Sequence, residues 1–233
     1  MSTIRSNRVC NALALADLMR ATPHAAAFDG DGWTFENKFG GYRVLARRSS
    51  HGVDLLPRSF KCIPSAFPEI LAVMESLPNG TALDAEIIVL DEWRQPSYER
   101  LRRRAELDVD ERIAEAAWRM PAMLSVFDCL FFNGRDIRNQ PLTKRKAAAA
   151  QLVADLEHMR SVSFVARDGV AAFDAAVSSG AEALVAKRAD STYRPGKRPT
   201  WLKIKNPSYS RKTVTDRYSL TPGKPAEACG GAT

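Results

Sequence analysis

The stretch Leu83-Asp84-Ala85-Glu86-Ile87-Ile88-Val89-Leu90 decides how this chain folds. It is a near-continuous apolar run that follows a clear turn signal, Pro78-Asn79-Gly80. A short apolar run bounded in this way reads as a buried strand. Two carboxylates, Asp84 and Glu86, interrupt it, and a buried charge needs a partner. Met123 to Phe132 repeats the pattern: another apolar strand, interrupted by Asp128 and ended by Asn133-Gly134.

Working outward, Trp33–Phe35 and Tyr42–Arg47 read as strands joined by a tight turn at Gly40-Gly41. Val53–Leu56, a short piece at Phe164, and Leu184–Ala186 are further strands, the last ending in Lys187-Arg188. Trp201-Leu202-Lys203-Ile204-Lys205 alternates as a strand does, which puts Lys203 and Lys205 on one face. Helices are expected over residues 9–20, 66–77, 98–106, 111–119, 143–158 and 170–179, with Thr143 as the N-cap of the fifth. Strands and helices follow in no regular βα order, which argues for an α+β domain built on antiparallel sheets flanked by helices. Residues 1–22 are expected to form a helical segment, 23–212 the main domain, and 213–233 a disordered tail rich in Gly, Pro and Ala.

The chain has 233 residues, enough for a sizeable core, and a net charge of +7, which favours polyanionic partners. No apolar run reaches 18 residues, so no membrane partner is expected. Cys10, Cys62, Cys129 and Cys229 form no CxxC pair, and His24, His51 and His158 are scattered. That argues against a zinc site or a disulfide framework and for a reducing compartment.

Charged residues of both signs lie on or beside strands that otherwise look buried: Lys38, Arg43, Glu86, Asp128, Lys187, Lys203 and Lys205. Such a set suggests one polar cleft in which cations hold phosphates and carboxylates hold Mg²⁺. No GxxxxGK[ST] loop is present, so side chains must hold the phosphates. The basic stretch Arg100–Arg104 reads as a solvated helix face, with gripping a polyanion backbone as the alternative.

Five segments, in order, resemble the motifs of the covalent nucleotidyltransferases. They are Glu36-Asn37-Lys38-Phe39-Gly40-Gly41-Tyr42-Arg43, Leu83-Asp84-Ala85-Glu86, Phe127-Asp128-Cys129-Leu130-Phe131-Phe132-Asn133-Gly134, Glu182-Ala183-Leu184-Val185-Ala186-Lys187 and Trp201-Leu202-Lys203-Ile204-Lys205. With Tyr193-Arg194-Pro195-Gly196-Lys197-Arg198 ahead of the last, the chain most resembles bacterial ATP-dependent DNA ligases of the double-strand-break-repair type.

The resemblance implies an ATP-grasp-like nucleotidyltransferase domain, with ATP and Mg²⁺ (or Mn²⁺) as cofactors and nicked double-stranded DNA as partner. It implies Lys38 as the nucleophile on the α-phosphate of ATP, forming a lysyl-AMP intermediate that passes to a DNA 5′-phosphate. It implies adenine contact by Glu36, ribose contacts by Arg43 and Glu86, base stacking near Phe127, phosphate contacts by Lys187, Lys203 and Lys205, and metal placement by Glu182 with Glu86. An amine attacks only when neutral, so neighbouring cations or burial must favour that form. A monomer in the bacterial cytoplasm is expected.

Three features depart from the resembled pattern. Gly40 stands where an acidic residue is usual, Ala183 where glycine is usual, and the gap from Arg198 to Trp201 is one residue short. About 28 residues follow Lys205, too few for the OB-fold domain usual in the family, so that domain is expected to be absent or supplied by a repair partner. The second reading is a catalytically impaired nucleotide- or DNA-binding relic of a ligase domain.

Overall fold

The computed structural model describes residues 13–58 and 64–209. Two mixed-order sheets face each other. One has strand order β1-β11-β10-β2-β9 and the other β4-β3-β5-β6-β7, with β8 paired to β6. The strands are β1 (Met19–His24), β2 (Trp33–Lys38), β3 (Tyr42–Ser49), β4 (Gly52–Pro57), β5 (Thr81–Val89), β6 (Ala122–Phe132), β7 (Arg135–Asp136), β8 (Met159–Ser161), β9 (Val165–Ala166), β10 (Ala183–Arg188) and β11 (Gly196–Lys205). Pairing is antiparallel except for β1 on β11 and β8 on β6. The helices are α1 (Pro68–Glu75), α2 (Tyr98–Ala105), α3 (Asp110–Arg119), α4 (Leu142–Val153) and α5 (Gly169–Ser178).

Strict alternation along β5 explains its sequence. Leu83, Ala85, Ile87 and Val89 join a core with Val44, Ala46, Leu124 and Val126, roofed by Ile70 and Met74 of α1, Leu101 of α2, and Ala149 and Leu152 of α4. The intervening positions face the other sheet, where Ala82, Leu45 and Phe131 meet Leu18, Met19, Tyr193 and Trp201 in a second core. Phe35, Leu184, Ala186 and Ile204 point outward from the first sheet onto Ala172 and Ala176 of α5. Each sheet thus buries one face under helices and turns the other towards its partner sheet, so side chains at alternate positions can line a shared cleft.

Several sequence expectations change here. The part of the expected N-terminal helix that lies in the described residues is a 3-10 turn, Leu15–Asp17, followed by β1. Hydrogen bonding to β11 overrides the local helical pattern and ties residues before 23 into the main sheet. Gly40-Gly41 does not close a hairpin, because β2 and β3 belong to different sheets and the pair carries the chain across between them. Thr143 is not an N-cap, since α4 starts from Pro141. That helix ends at Val153, and the chain then passes through positive φ at Asp155 and His158 into β8. Phe164 lies just before β9 rather than in it. Residues 9–12 of the first expected helix and the expected tail, 213–233, lie outside the described residues.

Candidate functional site

A cavity of about 570 Å³ lies between the two sheets, and its wall includes Glu36, Lys38, Arg43, Glu86, Phe127, Glu182, Lys187 and Lys203. Strand register places them. On the first sheet, Glu36 pairs with Val185, which pairs with Lys203, and Lys38 pairs with Ala183, which pairs with Lys205. On the second, Arg43 sits opposite Glu86, and Glu86 opposite Ser125.

At one end of the cavity Lys38 is held between two carboxylates. Its Nζ donates to Glu182 Oε2 at 3.0 Å and lies 3.6 Å from Glu86 Oε1. Lys203 donates to the other oxygen of Glu182 at 2.8 Å. The Glu182 backbone N–H donates to the Lys38 carbonyl, so main chain and side chain both fix this pair. Burial tends to raise the Glu182 carboxyl, but Lys38 and Lys203 outweigh it and hold its pKa at about 2. Burial raises Glu86 above the usual carboxylate range, against the pull of Lys38. The two acids thus share one lysine but differ in how firmly they hold charge.

Gly41 makes this geometry possible. A β-carbon there would stand 2.6 Å from both Glu86 Cγ and the Ile87 carbonyl oxygen, which no side chain can occupy. The close approach lets the Gly41 N–H donate to Glu86 Oε1 at 3.1 Å.

At the other end Glu36 is buried between two lysines. It accepts from Lys187 Nζ at 2.6 Å and Lys146 Nζ at 2.8 Å. Burial depresses the Lys187 ammonium despite Glu36. That ammonium also lies 4.2 Å from the centre of the Trp201 ring and 4.8 Å from that of Phe127. Between the two ends, Arg43 forms a bidentate pair with Asp84 at 2.9 and 2.6 Å. Burial opposes its charge, but Asp84 pushes it above the ordinary guanidinium range.

The structure thus gathers seven of the residues expected for nucleotide contact or catalysis, together with Glu182. Lys187, for which the resemblance implied a phosphate contact, takes a place beside Glu36, four residues along β10 from the Lys38 rung. Lys205 is not brought in: it shares the Lys38 rung but lies exposed at the end of β11 and does not line the cavity. Lys146 and Asp84 were not expected as site residues. Lys146 sits in an alanine-rich helix and carries no local signal, whereas Asp84 was visible as an interruption of an apolar run. The Arg100–Arg104 stretch is occupied with structural pairs: Arg100 with Glu92, Arg103 with Glu99, and the fully buried Arg104 with Glu69 at 2.8 Å. Among the described residues no cluster of three or more His, Cys, Asp or Glu is arranged to hold a metal, and no helix is long and apolar enough to cross a membrane.

Residues 14–205 match the model of the ATP dependent DNA ligase domain, and the chain belongs to that family. It is 29% identical over 189 residues to the SPbeta prophage-derived DNA ligase-like protein LigB of Bacillus subtilis, covering 81% of this chain and 66% of that one. It is also 29% identical over 194 residues to the multifunctional non-homologous end joining DNA repair protein LigD of Mycobacterium tuberculosis, covering 82% of this chain and 24% of that one. A solved mycobacterial DNA ligase D, complexed with ATP and MES, has a TM-score of 0.65 at 27% identity, covering 82% of this chain and 60% of that chain. The fold is therefore the α+β nucleotidyltransferase arrangement of a ligase domain. The chain spans just under two thirds of the first relative and about a quarter of the second.

Proposed function

We propose that this chain is the adenylylating domain of an ATP-dependent DNA ligase, with Lys38 as the nucleophile. The observation that carries this reading is the position of Lys38 Nζ at the cavity wall, between Glu182 and Glu86 and beside Lys203. Glu36, two residues along the same strand face, marks the base end of the site, where its carboxylate accepts hydrogen bonds from Lys146 and Lys187 and can accept one from an exocyclic amine. Phe127 supplies a ring for stacking there, Arg43 lies between base and lysine, and Glu86 reaches in from the lysine end, so that the ribose fits beside them.

In the reaction the Lys38 lone pair forms a P–N bond to the α-phosphorus of ATP, the bond to the bridging oxygen breaks, and pyrophosphate leaves. Of the two protons that the Lys38 ammonium gives up, one leaves to solvent before the attack and the other to solvent or to the leaving group. Lys203 lies where it neutralises charge on the phosphates as it develops. AMP then passes to a DNA 5′-phosphate, and a 3′-hydroxyl displaces it to seal the nick.

The paired carboxylates of Glu86 and Glu182 are hard oxygen donors that would hold a divalent cation, Mg²⁺ or Mn²⁺. When bound it supplies further charge neutralisation at the phosphates. Lys205 is assigned no nucleotide contact. We take the domain to run from the β1 strand to about residue 212, and read it as cytoplasmic and bacterial.

The test is a two-stage labelling. The purified protein is incubated with α-labelled ATP and Mg²⁺, run on a denaturing gel beside Lys38→Ala, and then chased with unlabelled nicked DNA. A band absent from the variant and lost to the DNA on chasing supports the reading. A folded wild type that takes no label sinks it and favours the nucleotide-binding relic.

A further inference from the structure

We propose that Tyr209 is a positioning residue for Lys38, its hydroxyl filling the space that a side chain at residue 40 would otherwise occupy. A β-carbon built on Gly40 would stand 2.8 Å from the Tyr209 hydroxyl oxygen and 3.9 Å from its Cζ, with no other described group outside its chain neighbours within 4 Å. Gly40 and Gly41 are therefore glycines for different reasons. Gly41 is closed off by the backbone of β5, whereas Gly40 is closed off by one tyrosine tip. Gly40 is also the position at which the sequence departs from the resembled motif, and the contact supplies a physical reason for that departure.

Tyr209 is held where it can act. The turn after β11 is built by the Asn206 side chain, whose amide donates to the Ala181 carbonyl at 2.9 Å and whose carbonyl oxygen accepts from the Ser208 N–H at 2.9 Å. The Asn206 N–H donates to the Glu182 carbonyl, and the Tyr209 N–H to the Asn206 carbonyl. Glu182 is itself bonded to Lys38 through both backbone and side chain. Tyr209 thus reaches the loop after Lys38 from a turn whose Asn206 is hydrogen-bonded to the Ala181–Glu182 backbone, next to the Lys38 carboxylate partner. The Tyr209 hydroxyl thereby restricts the backbone at Gly40, two residues after Lys38, and with it the approach of the lysine amine. Small displacements of a reacting group cost large factors in rate, up to about a hundredfold per ångström.

The inference rests on the ligase reading only for its rate readout. The experiment is a double-mutant cycle of Gly40→Ala and Tyr209→Ala with Tyr209→Phe beside it, read in two ways. The first readout is the single-turnover rate of adenylyl transfer to Lys38 and its dependence on ATP concentration. The second is the rate at which an amine-reactive acylating reagent modifies Lys38 without ATP, followed by peptide mass. Tyr209→Ala is expected to slow adenylyl transfer about tenfold at unchanged half-saturating ATP. Tyr209→Phe should fall between it and wild type, and the double variant should be no slower than either single one. Effects that multiply in the double variant, or a Tyr209→Ala protein unchanged in both readouts, would overturn the proposal. If wild type takes no adenylate while Lys38 modification still shows the same non-additive pattern, the ligase reading fails and the Tyr209 coupling stands.

Discussion

Asp84 and Glu86 sit two residues apart on one face of β5 and serve different regions. Asp84 has no exposed surface and is saturated: Arg43 grips both its oxygens, and the Tyr193 hydroxyl donates to it at 2.6 Å while accepting from the Met19 N–H. Its neighbour across the strand pair, Asp128, is equally buried and held by Arg145 at 2.7 and 3.0 Å. Glu86 faces the cavity instead and shares Lys38 with Glu182, which also holds Lys203; both lysines are about a quarter exposed. In one region charges are matched by rigid, bidentate guanidinium contacts that also bind backbone carbonyls. In the other they are matched by single-point ammonium contacts on flexible stems that a nucleotide or a cation can displace. Around Lys38 residue type separates scaffold from site: Arg145 and Tyr193 hold the floor, whereas Lys38, Lys203, Glu86 and Glu182 line the working end.

The contrast can be broken most severely at the floor. Arg145→Ala leaves Asp128 buried and unpaired, and should cost about 3–5 kcal/mol of stability, read by denaturant unfolding. At the working end the loss should appear in chemistry instead. Lys203→Ala should slow adenylyl transfer by about a hundredfold, the scale for removing one charge-stabilising donor, with little change in unfolding midpoint. The two acids should also separate by pH in metal-free buffer. Glu182, depressed to about 2, contributes stability that is present above pH 4.5 and fades towards pH 2, so wild type should exceed Glu182→Gln at neutral pH and converge with it in acid. Glu86 has the opposite sign: its raised value means ionisation works against the fold above 4.5, so Glu86→Gln should lose less stability at neutral pH than Glu182→Gln, or gain some. Thermal unfolding between pH 2 and 7 checks both. The smallest effect belongs to Lys205→Ala, which should stay within about twofold of wild type in adenylyl transfer, well inside the hundredfold scale of a working donor.

What the sequence made legible follows from period and polarity. The carboxylates of β5 and β6 stood out because they broke apolar runs, and both strands are where those runs are. The alternation of Trp201–Lys205 identified a shared face but not where the strand leaves the cleft, which is a property of sheet geometry. Lys146 was invisible because its partner, Glu36, lies 110 residues away and nothing in an alanine-rich helix marks one lysine as buried. The N-terminal strand was misread as helix because its pairing to β11 spans most of the chain, and local pattern carries no trace of so distant a partner. Gly40-Gly41 read as a hairpin turn because a glycine pair specifies a sharp change of direction without specifying which sheet follows.

The central claim is that Lys38 forms the covalent bond. Its most direct test is peptide mapping by mass spectrometry after incubation with ATP and Mg²⁺, with wild type, Lys38→Ala and Lys203→Ala in parallel. One adenylyl group per chain is expected, located on Lys38, absent from Lys38→Ala and slow to appear in Lys203→Ala. An adenylyl group on Lys203 or any other lysine, or none on a folded wild-type chain, would contradict it.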